Sequence, residues 1–421
     1  MKPTQALRAL TGALLTGALV FTGAPAAHAD QARDLEMQWP LNDFNVNAIW
    51  KVTDGRGVTV AVIDTGVDAD YPDLTGQVLP GKDFAHGGDA RQDYDLKEKH
   101  GTSISALIAG HGHGAGNGSG VVGLAPGAKI LPLSKDGPSA TNGVANSIRY
   151  AVDHGATVIN MSVAGPNSSD DERAAVAYAQ QHDVVLIAGS GNKGIGTPEY
   201  PASDVGVVAV GSIGKDLKVW NQSNYGPHLA LVAPGSDIVT AGGTDYGLSD
   251  GTSNSAAFVS ATAALIRAKY PDLTAGQVVN RLVKTAMVPD ELKGARLPDQ
   301  HYGYGIIRPY RALTDDIPAG PEAGPLPQAT APSGSNTSGT GTKPGNSTAP
   351  TTPGSGANQP SNDADTGSKD NGVPVGLLLG IGAAVLVVVI IVIVAISRSR
   401  RRPPGGPQGP GGPGGGYPGP I

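Results

Sequence analysis

The sequence predicts an α/β fold with a mostly parallel central sheet, and three observations support this prediction. Short β-branched runs recur along the chain and are separated by stretches in which apolar residues have helical spacing. Such alternation is typical of βαβ units, and the apolar runs suit strands that are buried on both faces. The chain has 421 residues and 39% hydrophobic content, which is sufficient for one large domain of this class.

The predicted elements follow one another from residue 39 to about residue 314. The predicted strands cover 58–63, 130–133, 157–161, 184–188 and 205–210. Helical patterns cover 141–154 and 170–182, and two long helices should begin at His100 and Ser253. Pro271 is expected to end the second of these helices. Asp64 follows the first predicted strand, at the edge of a parallel sheet where active groups gather.

Composition excludes several classes of function. The chain has no cysteine, so disulfides, cysteine-ligated zinc and thiol catalysis are excluded. The net charge of -6 argues against nucleic acid as the main partner. The 62 Gly and 34 Pro predict flexible segments outside the folded domain.

The first 29 residues have the pattern of a secretory signal peptide. Lys2 and Arg8 precede an apolar run that reaches Phe21, and small residues follow up to Ala29. We expect cleavage after Ala29 and a folded domain over 30–316. The alternative, an uncleaved anchor helix, is disfavoured because a membrane span needs ~20 apolar residues.

The C-terminal part of the chain predicts a membrane anchor. Residues 317–372 are rich in Pro, Gly, Ser and Thr and are expected to form a disordered linker. Residues 373–396 are apolar and uncharged, long enough for one transmembrane helix. Arginines open the tail over 397–421, so the tail should be cytoplasmic and the folded domain extracytoplasmic.

Three separated motifs contain the residue types of a catalytic triad. Asp64 ends an apolar run, His100 precedes Gly-Thr-Ser, and Ser253 follows Gly-Thr. Each alone has a simpler explanation as a turn or a helix cap. A serine nucleophile, however, needs a histidine to take its proton and a carboxylate to orient that histidine. The chain order Asp, His, Ser is that of subtilisin and differs from those of chymotrypsin and the α/β-hydrolases.

Six motifs resemble those of the subtilisin-like serine proteases. They are VIDTGV at 62–67, HGT at 100–102, GLAPGA at 123–128, INMS at 159–162, APG at 233–235 and GTS at 251–253. The resemblance implies a subtilisin-like three-layer fold and a serine endopeptidase. It assigns Asp64 as the orienting carboxylate, His100 as general base and then acid, and Ser253 as nucleophile. Asn192, in a Gly-Asn motif, would donate to the oxyanion; its alternative role is that of a turn residue.

The same resemblance suggests how a peptide substrate is held. Ser162, Val163 and Ala164 correspond to the edge strand along which subtilases bind an extended peptide. Glu199 falls where a residue at the floor of the primary specificity pocket would be. We hypothesise a preference for Lys or Arg at the cleaved position. The alternative is that Glu199 is a solvated surface residue.

Two residues after the predicted nucleophile depart from the family pattern. Asn254 and Ala257 replace the usual residues after the nucleophile, so we expect altered packing there and low activity.

His111 and His113 lack a third ligand nearby in sequence, which favours a mobile surface loop over a metal site. No metal ligand or cofactor is predicted. Many subtilases bind calcium, but the spacing of the aspartates allows no assignment; these are Asp68, Asp70, Asp73, Asp93 and Asp95.

The order of segments is similar to that of the mycosins, the membrane-anchored subtilases associated with type VII secretion. This similarity implies a single-pass cell-membrane protease that processes secreted protein substrates beside a secretion complex. Two alternatives stay open: a general cell-surface subtilase, and a catalytically weak structural component of such a complex.

Overall fold

The computed structural model describes residues 37–135, 143–242 and 245–329. The strands are β1 (Thr59–Asp64), β2 (Lys82–Asp83), β3 (His111–His113), β4 (Ser119–Val122), β5 (Lys129–Ser134), β6 (Val158–Met161), β7 (Val185–Gly189), β8 (Val208–Ile213), β9 (Leu229–Pro234), β10 (Ile238–Gly242) and β11 (Asp245–Ser249). The α-helices are α1 (Trp39–Asp43), α2 (Val46–Ile49), α3 (His100–Ala109), α4 (Gly143–Asp153), α5 (Asp170–Gln181), α6 (Thr252–Lys269), α7 (Ala275–Thr285) and α8 (Pro309–Thr314).

Seven strands form one parallel sheet in the order β2-β5-β1-β6-β7-β8-β9. The chain passes from β1 to β5 on one side and then returns to β6 on the other side. The strand order therefore reverses at β1, and Asp64 is the last residue of that strand. The carboxyl ends of strands at such a reversal form the usual crevice for ligands in open α/β sheets.

Helices cover both faces of the sheet, which gives three layers. Alternate residues of β1 point to opposite faces, so Val60 and Val62 join one core cluster while Ala61 and Ile63 join the other. The first cluster contains the apolar residues of α3, α6 and α7, and the second contains those of α4 and α5. The predicted α/β fold with a parallel central sheet is confirmed.

Four of the five predicted strands have bounds within one residue of those observed. The fifth prediction, 205–210, starts three residues too early, because β8 begins at Val208. Val205 is 53% exposed and Gly206 has a φ of +97°, so these residues form a turn before the strand. A β-branched run thus indicated the strand but did not show where the turn ends.

The two long helices begin where the sequence predicts. α3 starts at His100, and α6 starts at Thr252, one residue before Ser253. The predicted helix over 170–182 is α5. A capping box at its start satisfies two backbone donors: Ser169 Oγ accepts from Glu172 N at 3.1 Å, and Glu172 Oε2 accepts from Ser169 N at 2.8 Å. The sequence did not predict β9, α7 or the antiparallel pairs β3–β4 and β10–β11.

Residues 317–329, assigned from the sequence to the start of the linker, lie against α5 and α7. Asn280 Nδ2 donates to the carbonyl oxygens of Pro318 and Ala319, each at 3.1 Å. Gln277 Nε2 donates to Gly320 O at 3.0 Å, and the backbone N–H of Ala329 donates to Gln180 Oε1 at 2.8 Å. These bonds make the segment part of the folded domain.

The predicted signal peptide (1–29), the transmembrane helix (373–396) and the tail (397–421) lie outside the described residues. Within the three described ranges, no helix combines the length and apolar character needed to cross a bilayer.

Truncation should reveal the contribution of residues 317–329. We expect a fragment covering 30–329 to be more stable than one covering 30–316 by about 2–4 kcal/mol, because several buried or half-buried donors lose their acceptors in the shorter one. Urea unfolding of both fragments measures this difference in free energy. Superimposable unfolding curves would show that the segment contributes nothing to the fold.

Candidate active site

Asp64 and His100 meet at the carboxyl end of the sheet. Asp64 Oδ1 lies 2.7 Å from His100 Nδ1 and also accepts the backbone N–H of Thr65 at 2.8 Å. The Asp64 side chain is 2% exposed and that of His100 is 34% exposed. Because the carboxylate accepts from Nδ1, Nε2 is the ring nitrogen that is free to exchange a proton with another group.

The Asp64 carboxylate controls the charge of the imidazole. Its negative charge raises the pKa of His100 to about 9; burial acts in the opposite direction, and the more distant Asp93 and Asp95 add to the increase. A carboxylate in this position stabilises the imidazolium that forms when a histidine accepts a proton. The pair thus has the electrostatics of a general base with its orienting acid.

A glycine after His100 allows the helix to approach β1. A Cβ on Gly101 would lie 2.0 Å from Gly66 O. Gly66 itself has a φ of +99°, and a Cβ there would lie 2.1 Å from Gln92 O. Both glycines are required by backbone contacts, which explains locally why the Asp and His motifs contain them.

Asp93 fixes the two segments that carry Asp64 and His100. Its Oδ1 accepts from Thr65 Oγ1 at 2.8 Å, and its Oδ2 accepts from Thr102 N at 2.9 Å and Thr102 Oγ1 at 2.7 Å. Thr65 Oγ1 in turn accepts the backbone N–H of Gly101 at 3.1 Å. The sequence suggested Asp93 only as one of several candidate calcium ligands, and no motif marks this positioning role.

Ser253 lies half-buried in the first turn of α6, directly after Thr252, which contacts Asn192. Asn192 Oδ1 accepts from both the backbone N–H and the Oγ1 of Thr252, each at 2.9 Å. A Cβ on Gly251 would lie 3.5 Å from Asn192 Nδ2. The amide oxygen is therefore engaged by the residue before Ser253, and the amide nitrogen is the group available as a donor. A role as a turn residue alone does not account for these contacts.

A cavity of about 390 Å³ lies beside His100. It is lined by His100, by Asn254 and by residues of the β10–β11 pair. Helix α3 also packs against α6. The structure thus brings Asp64 into contact with His100, and places His100 on the same cavity as the residue after Ser253.

The polar residues after Ser253 tie α6 to neighbouring strands. Asn254 Nδ2 donates to Ser249 Oγ at 2.9 Å and to Gly235 O at 3.3 Å. Ser255 Oγ donates to Ala233 O at 3.0 Å. Ala257 is fully buried in the core. The departures from the family pattern are therefore accommodated by hydrogen bonds and packing around the first turn.

The predicted substrate segment lies beside Ser253. Ser162 Oγ donates to Ser253 O at 3.4 Å; Ser162 and Val163 are half-buried and Ala164 is exposed. Gly165 pairs with Tyr200 through two backbone bonds of 2.9 and 2.8 Å. An extended peptide laid along 162–164 would therefore pass next to α6.

Glu199 is buried and paired, so the alternative of a solvated surface residue is wrong. The residue is 4% exposed. Its carboxylate forms an ion pair with Lys193 and accepts from Asn224 Nδ2 at 2.8 Å.

The histidines of β3 have partners within the fold. His113 Nδ1 lies 2.6 Å from Asp73 Oδ1, and His111 Nε2 lies 2.9 Å from Thr75 O. Across the described ranges, no group of three or more His, Asp or Glu side chains is arranged to hold a metal ion.

The parallel sheet, the Asp–His pair where its strand order reverses, and Ser253 in the first turn of α6 form an arrangement typical of a serine-type hydrolase of the α/β class. A family model described as the subtilase family matches residues 55–305. The chain belongs to this family of serine proteases.

Relatives place the chain more narrowly within the family. It is 35% identical to the thermophilic serine proteinase of Bacillus sp. strain AK1 over 282 residues, which are 65% of this chain and 66% of that protein. It is 32% identical to mycosin-1 of Mycolicibacterium smegmatis over 350 residues, which are 68% of this chain and 75% of mycosin-1. The crystal structure of MycP1 from the ESX-1 type VII secretion system matches with a TM-score of 0.60 and 30% identity, covering 69% of this chain and 88% of MycP1. The chain is thus a subtilisin-like serine protease related to the mycosins.

Proposed function

We propose that the protein is a membrane-anchored, extracytoplasmic serine endopeptidase that processes secreted proteins at a type VII secretion system. The observation that carries the catalytic part is the 2.7 Å contact between Asp64 and His100, beside the helix that contains Ser253 in its first turn. This arrangement matches the roles that acyl transfer through a serine requires.

Each side chain has a defined role in the proposed reaction. Ser253 Oγ attacks the carbonyl carbon of the substrate while His100 Nε2 accepts the hydroxyl proton. Asp64 holds the imidazole by Nδ1 and stabilises its positive charge. Asn192 Nδ2 donates to the oxyanion of the tetrahedral intermediate, and His100 returns the proton to the leaving amine. Water then attacks the acyl group on Ser253 while His100 accepts a proton from it. His100 returns this proton to Ser253 Oγ, and the acyl group leaves as a carboxylic acid.

The substrate is proposed to bind as an extra strand along Ser162, Val163 and Ala164. Support comes from the position of this segment next to Ser253 and from the exposure of Ala164. Main-chain hydrogen bonds would then hold the peptide, and pockets for its side chains would select it.

The membrane and secretion context is supported by the sequence and by the relatives. The signal-like segment 1–29 and the apolar segment 373–396 predict an exported, single-pass protein. The similarity to mycosin-1, and to MycP1 from a type VII secretion system, favours an extracytoplasmic position beside such a system.

Two other functions have support from particular observations. The 35% identity to a thermophilic serine proteinase favours a general cell-surface subtilase, and secretion genes beside this gene would discriminate between the two. Asn254 and Ala257, which depart from the family pattern, favour a catalytically weak component of a secretion complex.

Covalent labelling tests whether Ser253 is an active nucleophile. A purified 30–329 fragment should react with a fluorophosphonate probe at Ser253, because the reagent requires a serine whose proton a nearby base accepts. Mass spectrometry of the labelled peptide locates the probe, and Ser253→Ala is the matched control. An unlabelled wild-type fragment that is folded by circular dichroism would instead support the catalytically weak component.

A further inference from the structure

The motif INMS at 159–162 places a polar side chain in the core of the domain. Asn160 is fully buried and lies on β6, whose backbone is fixed by β1 on one side and β7 on the other. Because side chains alternate along a strand, Asn160 points to the same face as Val158, which belongs to the core cluster that contains the apolar residues of α6. An amide that is buried among apolar residues needs hydrogen-bond partners for its oxygen and for its nitrogen.

Both ends of the Asn160 amide have such partners. Ser260 Oγ, on α6, donates to Asn160 Oδ1 at 2.9 Å, and Asn160 Nδ2 donates to Ser162 Oγ at 2.9 Å. Since Ser162 Oγ accepts this bond, its one proton is left for another acceptor. That acceptor is the backbone oxygen of Ser253, at the longer distance of 3.4 Å. Three bonds thus connect β6, the first residue of the proposed peptide-binding segment and two points on α6.

The peptide-binding segment is the part of this network that is least fixed by other contacts. The two points on α6, Ser253 and Ser260, are two helical turns or about 10 Å apart. The helix between and beyond them is held by packing, because every residue from 254 to 267 is buried. Residues 162–164, in contrast, are half-buried or exposed. The position of this segment relative to Ser253 therefore depends on Asn160.

We propose that Asn160 is a positioning residue, which uses Ser162 and Ser260 to hold the peptide-binding segment at a fixed position relative to Ser253. A peptide bound along 162–164 then presents its carbonyl carbon to Ser253 Oγ at the distance that attack requires. A displacement of about 1 Å that originates far from the chemistry can lower a rate by about 10²-fold. This inference rests on the proposed protease function and extends it to a core residue that does not touch the substrate.

Asn160→Leu, tested in the full-length protein in detergent, should separate the cleavage of peptides from the reactivity of Ser253. Leucine has the same number and branching of side-chain heavy atoms but makes none of the hydrogen bonds. For a peptide that covers 162–164, kcat should fall about 10²-fold with little change in KM, because main-chain bonds to the segment remain while the carbonyl carbon is displaced. p-Nitrophenyl acetate is too small to use the segment, so the variant should retain its hydrolysis. A loss of folded protein would lower both rates by the same factor.

Two further variants separate position from stability. Asn160→Leu leaves the hydroxyl of Ser260 without its partner in the core, so Asn160→Leu/Ser260→Ala should recover part of the lost free energy of unfolding but not the lost kcat. Ser147→Ala is the matched control, because Ser147 is fully buried on α4 and its Oγ has no hydrogen-bond partner among the described residues. Both rates of this control should equal those of the wild type. Equal losses of the peptide and ester rates in Asn160→Leu, or recovery of kcat in the double variant, would overturn the positioning role.

Hydrogen exchange tests the same role without catalysis. In a Ser253→Ala background, which keeps the backbone oxygen at position 253, Asn160→Leu should increase the deuterium uptake of the backbone amides over 162–165 and leave that of α5 unchanged. Equal uptake over 162–165 with and without Asn160 would overturn the role of Asn160. A wild-type protein that hydrolyses neither the peptide nor the ester, together with increased uptake in Asn160→Leu, would overturn the proposed protease function and leave the positioning of the segment supported.

Discussion

Replacing Asp64 by Asn is expected to lower kcat/KM by about 10⁴-fold, the loss typical when a triad carboxylate becomes an amide. The 2.7 Å contact fixes the proton of His100 on Nδ1, which leaves Nε2 unprotonated and able to accept from Ser253. An amide at position 64 can present its own N–H to Nδ1 and so favours the wrong tautomer. Steady-state hydrolysis of a peptide substrate measures this loss.

The pH profile of the same variant distinguishes the role of Asp64 from a general loss of stability. The Asp64 charge raises the pKa of His100 to about 9 from an ordinary value of 6.5, and only the neutral imidazole acts as a base. Activity of the wild type should therefore increase with pH through the pKa of His100. In Asp64→Asn the attraction for the proton is lost, so the ascending limb should move to lower pH. Asp89→Asn, which removes a carboxylate bonded to Gly81 and Arg91, should leave the profile unchanged.

An unshifted ascending limb in Asp64→Asn would contradict the assignment. It would mean that another group sets the pKa of the essential base.

Replacing Asn192 by Ala is expected to lower kcat by about 10²-fold to 10³-fold with little change in KM. The amide nitrogen would donate to a charge that exists only in the tetrahedral intermediate, so its loss affects the transition state more than the bound substrate. Single-turnover and steady-state hydrolysis measure kcat and KM separately.

A second substitution separates the donor role of Asn192 from its structural role. Asn192→Asp keeps an oxygen for the two bonds from Thr252 but removes the Nδ2 donor. Both variants should therefore lose activity, whereas the exposed Asn221→Ala should not. Full activity of Asn192→Asp would show that Asn192 serves only to position Thr252.

Much of the fold could be predicted because its signals are local. Runs such as Val60 to Ile63 are buried on both faces and indicate strands directly, and a histidine or serine before a helical pattern indicates where α3 and α6 begin. The predicted start of β8 is three residues too early, because the turn at Gly206 lies within a run of valines. Nothing in the composition of that run marks where the turn ends and the strand begins. The capping box at Thr274 marks the start of α7 and is a local signal from which this helix can be predicted.

The candidate site likewise contains residues that the sequence predicts and residues that only the structure shows. The motifs and their order predicted Asp64, His100 and Ser253, because nucleophilic catalysis restricts which residue types can serve. Asn192 was predicted by the resemblance to the family. Asp93 and Asn224 act through partners that lie 9 to 31 residues away in sequence, and no local pattern marks them.

The sequence by itself determined the class of chemistry, the order of the sheet's main strands along the chain, and a predicted exported topology. Only the tertiary structure decided that Glu199 is buried against Lys193 and that residues 317–329 belong to the folded domain. The physical reason is that residue type and spacing constrain backbone geometry and reactivity locally. Charge compensation and burial, in contrast, depend on which side chains folding brings into contact.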